Sequence, residues 1–312
     1  MTLLFSYGYI LFMKQQTRAY TYAIIAVLLW STVASAFKVS LRYLTVFQLL
    51  VFASLTSVIV LFIILVIQGK LKTLKTFSKG DYLRSLLLGF LNPFLYYIFL
   101  FKAYSLLRAQ EALTLNYTWP IVLSLLSIPL LRQRVGIKSV FAIIVSFVGA
   151  YIIAVQGRVL SLRFTNLAGV LFALGSTVIW SFFWIYNIKD KRDEVAKLFL
   201  NFSFGFIFIL VFNIIFSKLG AVSLKGVIGA IYVGIFEMGI TFVIWLLALK
   251  FSRTTAKVAN LIYLSPFLSL FVINLVVGER ILPSTVGGLI LIIAGIMIQS
   301  IHRPPRTPGV YN

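Results

Sequence analysis

The chain has 312 residues, of which 61% are hydrophobic and 11% charged, with a mean hydropathy of +1.04 and a net charge of +21. A soluble domain carries about 25% charged residues, so this composition excludes an ordinary water-facing surface and points to lipid as the solvent. Cysteine is absent and the one histidine, His302, sits in a Pro- and Arg-containing tail, which removes disulfides, thiolate metal sites, cysteine nucleophiles and histidine-centred chemistry. The 28 basic residues lie thinly in the gaps between apolar runs, as they do at the ends of membrane spans, and this argues against nucleic-acid binding.

Ten apolar runs, each near the roughly 20 residues that cross a hydrocarbon core, follow one another near residues 20–38, 44–67, 83–101, 112–130, 139–156, 167–188, 197–216, 227–248, 258–277 and 284–301. Their linkers are short and none suggests a soluble domain. Lipid offers no partner to an open backbone, so the runs read as helices; their continuity argues against the alternating segments of a transmembrane barrel. The expected fold is all-α and integral to the membrane, with ten transmembrane helices.

Ahead of the first run lies an N-terminal segment, residues 1–19. Met1 to Phe12 is apolar but too short to span, and Met13-Lys14-Gln15-Gln16 has the form of an alternative start. Residues 13–36 also resemble a signal peptide, with Ala34-Ser35-Ala36 as a small-residue cleavage site. A match between this stretch and a later span favours a retained helix. With the N-terminus inside, 19 of the 28 basic residues fall on the inner side, among them Lys70, Lys72, Lys75, Lys189, Lys191 and Arg192. The positive-inside rule then puts both termini, including the tail at 302–312, in the cytoplasm.

The two halves repeat each other at an offset that drifts only from 150 to 145 or 146. Leu29-Trp30-Ser31 matches Ile179-Trp180-Ser181, Gly89 matches Gly234, and Ala103 matches Ala248. Tyr117 and Pro120 match Tyr263 and Pro266, Gln133-Arg134 matches Glu279-Arg280, and Gly149 matches Gly295. Five spans per repeat is an odd number, so the second half enters the membrane from the opposite side. The result is two inverted five-helix repeats, an arrangement that in secondary transporters places the substrate near the midplane. Pro120 and Pro266, symmetric and well inside the fourth and ninth spans, are the candidate helix breaks; the alternative is a kink that serves packing alone.

Over residues 13–301 the chain resembles the drug/metabolite transporter superfamily, in its EamA branch. The resemblance rests on the five-plus-five layout, the Trp-Ser element opening each half and the Pro-centred fourth and ninth spans. It also rests on the stretch from Val277-Gly278-Glu279-Arg280 to Gly287-Gly288 and Gly295. The first half departs from it in carrying Gln133 where the second has Glu279. On this resemblance residues 20–156 and 167–301 are EamA-like repeats. It implies a plasma-membrane secondary carrier with alternating access, often an exporter of amino acids or related metabolites, and no cofactor.

Of the seven acids, six fall in loops or near span ends, and Glu237 lies almost at the centre of the eighth span. A charge at that depth costs at least about 2.5 kcal/mol, so it faces a cavity or partner and usually has a task. It could couple transport to protons or pair with a substrate amine; the structural alternative is a protonated carboxyl bonded to a neighbouring helix. Its repeat counterpart is Asn92. Helical spacing sets Thr241 on the face of Glu237 and Tyr96 on the face of Asn92. Trp30, Trp180, Tyr117, Asn260 and Tyr263 complete the set of substrate or coupling candidates, although for any single aromatic plain packing is the stronger reading. Lys38 and Glu111 are expected to snorkel or cap helices, and Glu279-Arg280 to form an ion pair.

The main alternatives are a passive channel and a membrane-embedded enzyme. Catalysis fits poorly, because one deep carboxylate stands alone where acid–base pairs or metal ligands usually cluster. A phosphate-binding G-x-x-x-x-G-K-[ST] loop is missing from the sequence, which argues against an ATP-driven pump. The expected partners are therefore the bilayer and a small-molecule substrate.

Overall fold

The computed structural model describes residues 2–131, 137–160, 166–216, 220–252 and 260–301, which are helical with no strand among them. Helix α1 (Thr2–Ser40) runs unbroken from the apolar start into the first predicted span. Between Lys14 and Ser40 it contains no Gly or Pro, so nothing interrupts it. Helix α2 (Val46–Ile67) opens on a Thr45–Gln48 capping box, which satisfies two backbone donors at its start. A short turn, α3 (Leu71–Leu74), leads to α4 (Lys79–Gly89), whose start carries a second capping box, Ser78–Asp81.

The third predicted span is not one helix. After α4 comes a π-helical turn, Phe90–Leu95, and then α5 (Tyr96–Leu106). Asn92, at φ −145° and ψ 117°, is extended, as the residue before a proline prefers, and Pro93 has no N–H to continue the ladder. The fourth span divides into α6 (Ala109–Asn116) and α7 (Trp119–Leu131), with Pro120 as the second residue of α7, where a missing N–H costs nothing. Helices α8 (Ile137–Ala154), α9 (Leu167–Ile188) and α10 (Glu194–Phe216) are continuous.

The eighth span breaks as well, between α11 (Leu224–Phe236) and α12 (Ile240–Phe251). Gly239 lies there at φ −114° and ψ −100°, outside the helical region. A 3₁₀ turn, Asn260–Leu264, precedes α13 (Ser265–Val277), which carries Pro266 in its first turn, and α14 (Pro283–Ile301) closes the described chain. Pro120 and Pro266 thus begin half-helices and do not kink continuous ones. Gln133-Arg134, Arg253, Lys257 and the tail with His302 lie outside the described residues.

Six helical stretches are long and apolar enough to cross a membrane, and three shorter apolar helices accompany them. Large apolar side chains stand outward along them: Phe147 is 71% exposed, Phe216 68% and Leu275 82%. In water such faces would drive aggregation; against lipid tails they are ordinary surface.

Packing follows a pattern. Helix α1 lies against α11, α12 and α13, while α9 lies against the π-turn, α5, α6 and α7; α2 packs on α11 and α10 packs on α4. The pairs α2–α10 and α8–α14 meet directly. At the last, small residues let backbones touch. A β-carbon on Gly149 would fall 2.5 Å from the Gly288 carbonyl oxygen, and one on Gly295 would fall 2.5 Å from that of Ala142. Between those contacts the Ser146 hydroxyl donates to the Ile292 carbonyl at 3.2 Å. Small residues at a helix crossing are the usual means of close association in lipid.

Candidate functional site

Glu237 is the last residue before the α11–α12 break, with its N–H bonded to the Val233 carbonyl. The break is held from a neighbour: Ser57 on α2 donates its hydroxyl to the Met238 carbonyl at 2.7 Å. Thr241, fully buried, donates back to the Phe236 carbonyl at 2.5 Å, so it closes the break from its other side. The expected shared face of Glu237 and Thr241 is therefore corrected. The helix that would align i with i+4 is interrupted between them, and the Thr241 hydroxyl is committed to backbone.

The same correction holds for Asn92, which lies extended inside the π-turn, and Tyr96, which follows it. Both side-chain polar atoms of Asn92 are buried without a hydrogen-bond partner among the described residues, as are those of Asn201 on α10. Close approach explains the crowding there, since a β-carbon on Gly205 of α10 would sit 2.3 Å from Pro93 Cδ. Burying an unsatisfied amide costs on the order of 1–3 kcal/mol per group.

Glu237 retains partial exposure at mid-span depth, and its carboxylate accepts a hydrogen bond from the Tyr97 hydroxyl at 3.2 Å. Tyr97 is fully buried and packs on Tyr96 at 4.8 Å between ring centroids. Tyr96 stacks on Trp180 at 4.6 Å, Trp180 meets Phe242 at 5.9 Å, and Phe242 meets Trp30 at 5.8 Å. The rings lie at separations where aromatic pairs attract each other. The structure thus brings Glu237, Tyr96, Trp30 and Trp180 into one chain of contacts drawn from α1, α5, α9, α12 and the end of α11.

Tyr117 sits partly buried at the α6–α7 break, next to Asn116, whose amide donates to Ser176 at 2.9 Å. Ser181, of the second Trp-Ser element, donates to the Trp119 carbonyl at 3.2 Å and so steadies the start of α7. Tyr263 is partly buried in the 3₁₀ turn, and the Asn260 side chain lies outside the described residues. Tyr97, Phe242 and Ser57 were not among the candidates from sequence. The one signal for Tyr97 was its place in the Tyr-Tyr pair; helical spacing selected Tyr96 because it assumed an unbroken helix.

At one end of the molecule Glu279 caps α6, accepting from the N–H of Ala109 at 2.9 Å and of Gln110 at 3.4 Å. This replaces the expected Glu279-Arg280 ion pair, because the first N–H groups of α6 have no acceptor within their own helix and are buried at the Glu279 carboxylate. Lys38 donates to the carbonyls of Tyr104 and Leu107 at the end of α5, and Gln156 bonds Glu111. The five ion pairs among the described residues all lie at the other end, around Asp81, Asp190, Asp193 and Glu194. None involves Glu237.

Broken apolar helices around one deep carboxylate are the architecture of a multi-pass membrane protein. A model of the EamA-like transporter family matches residues 17–155 and again 167–301, and the chain belongs to that family. An uncharacterized transporter of Clostridium kluyveri is 28% identical over 179 residues, a match that covers 54% of this chain and 56% of that protein. The uncharacterized transporter YxxF of Bacillus subtilis is 24% identical over 237 residues, covering 76% and 75% respectively. A solved crystal structure shares the fold at a TM-score of 0.64 and 20% identity, over 91% of this chain and 97% of that one.

Proposed function

We propose that this chain is a secondary carrier that moves a small metabolite by alternating access, with Glu237 in its substrate or coupling site. The observation that carries the reading is the placement of Glu237 at a helix break, partly exposed at mid-span and linked to Tyr97 from the other half of the chain. A carboxylate at that depth is too costly to face lipid, so its exposure is read as facing an interior opening.

Ten spans in two inverted repeats fit the packing. Exchanging first with sixth, second with seventh, and so on maps α1–α11/α12 onto α9–π-turn/α5, and α2–α11 onto α10–α4. The same exchange carries the break at Asn92-Pro93 onto that at Glu237–Gly239 and leaves α2–α10 and α8–α14 on the axis. Two halves of this kind can trade conformations and so expose one site to either side in turn. We place the protein in the plasma membrane with both termini in the cytoplasm, exporting amino acids or related compounds, the class that the resemblance offers first.

The test compares metabolites released by cells overproducing the wild type, Glu237→Gln or neither protein. Excess release with the wild type that collapses with well-expressed Glu237→Gln supports export through this carboxylate. Equal release from both variants removes Glu237 from the mechanism. Counterflow in proteoliposomes separates a carrier from a channel, since a channel shows none.

A further inference from the structure

The chemistry around Glu237 can be read further, resting on the carrier reading above. We propose that, of the amino acids and related compounds, the site takes the amines: an organic cation, protonated or quaternary, on an apolar or aromatic body, with no carboxylate required of it.

Three observations support this class. First, Glu237 is a carboxylate whose bonded partner is a phenol, and among the described residues no Lys or Arg pairs with it. A carboxylate at mid-span depth is costly without a counter-charge, and the described residues supply none. Second, the contacts leading away from it are ring to ring: Tyr97, Tyr96, Trp180, Phe242, Trp30. Aromatic faces carry negative charge density and attract ammonium groups, most of all where water is excluded.

Third, several polar donors nearby are already in use, although the Trp184 indole N–H beside Trp180 is buried without a partner among the described residues. The Tyr97 hydroxyl serves Glu237, the Asn116 amide serves Ser176 and the Thr241 hydroxyl serves the Phe236 carbonyl. An anionic group entering here would meet the Glu237 carboxylate with only uncharged donors to hold it, because no Lys or Arg among the described residues pairs there. A cation would find both of its preferred partners, one charge and the partly exposed rings of Trp30 and Trp180. The repeat accentuates the difference, because Glu237, Thr241 and Phe242 stand at the counterparts of Asn92, Tyr96 and Tyr97, so only one half supplies charge.

The experiment titrates purified protein in nanodiscs with four probes that share a benzyl or phenyl body: benzyltrimethylammonium, its uncharged isostere benzyltrimethylsilane, benzoate and L-phenylalanine. The expected result is binding of the quaternary ammonium at least roughly tenfold tighter than that of any other probe. Glu237→Gln should weaken it by roughly tenfold or more, Glu237→Asp by less, and Phe242→Leu by several-fold, each in protein that remains monodisperse. Silane binding as tight as the ammonium, preference for benzoate or phenylalanine, or full ammonium affinity in Glu237→Gln overturns the cation assignment. Proteoliposome counterflow with the same probes keeps the two readings apart. Exchange of phenylalanine without ammonium binding retains the carrier and removes the cation site. Ammonium binding without exchange of any probe retains the cation site and removes the carrier.

Discussion

The Tyr97 hydroxyl donates to Glu237 across 3.2 Å, and this bond joins the start of α5, in the first half of the chain, to the end of α11, in the second. Both residues sit beside a helix break, so a shift of either half-helix changes the distance between them. Conformational exchange between the halves would therefore alter the environment of the carboxylate directly.

Tyr97→Phe isolates that bond. The ring contacts with Tyr96 and Phe101 remain, and only the donor is lost. A hydrogen bond to a charged group contributes about 1.5–3 kcal/mol, so substrate counterflow should weaken by roughly tenfold or more while the protein stays folded. Unchanged counterflow would show that Glu237 works without Tyr97.

The α8–α14 crossing depends on missing side chains. Gly149→Val and Gly288→Val each push a side chain into the facing backbone, where a β-carbon already falls 2.5 or 2.6 Å from a carbonyl oxygen. Overpacking of this kind costs about 1–3 kcal/mol, read as a lower melting temperature in detergent. Gly287→Ala is the control, since a β-carbon there meets nothing within 4 Å and the melt should barely move.

Acid should loosen the end of the molecule that carries the ion pairs. Burial opposes the Asp190 carboxylate, but hydrogen bonds from Arg192 outweigh it and hold its pKa below the ordinary 3.8. Asp193 behaves alike, with burial outweighed by the Lys70 hydrogen bond. Both groups bind protons less readily folded than unfolded. Their stabilisation is complete above about pH 4 and is lost as pH falls through the folded-state values. Melting temperature should drop on acidification below about pH 4, and Asp190→Asn should start lower and fall less.

The orientation is open to a direct check because the chain contains no cysteine. Lys75→Cys, exposed in the loop before α4, and Leu160→Cys, 95% exposed in the loop before α9, should lie on opposite sides. A membrane-impermeant maleimide applied to intact cells should label Leu160→Cys and spare Lys75→Cys. The reverse pattern would invert the topology, and labelling of both would remove it.

The sequence by itself determined the solvent, the helical class, the family resemblance and the mid-span depth of Glu237. Each depends on composition or on the chemistry of single residues: a lipid-facing run must be apolar, a backbone in lipid must be helical, and a charge at depth is costly wherever its helix turns. Tertiary structure alone decided which side chains meet. Periodicity aligned Asn92 with Tyr96 and Glu237 with Thr241, but an i to i+4 argument holds only along an unbroken helix, and both pairs straddle breaks. Pro93 marks one of those breaks in the sequence. The other, at Gly239, has no proline to announce it and is held by Ser57 from a helix distant in the chain. Tyr97 rather than Tyr96 reaches Glu237, and Glu279 caps α6 instead of pairing with Arg280, for the same reason. A side chain's partner is set by the packing of helices that local spacing does not encode.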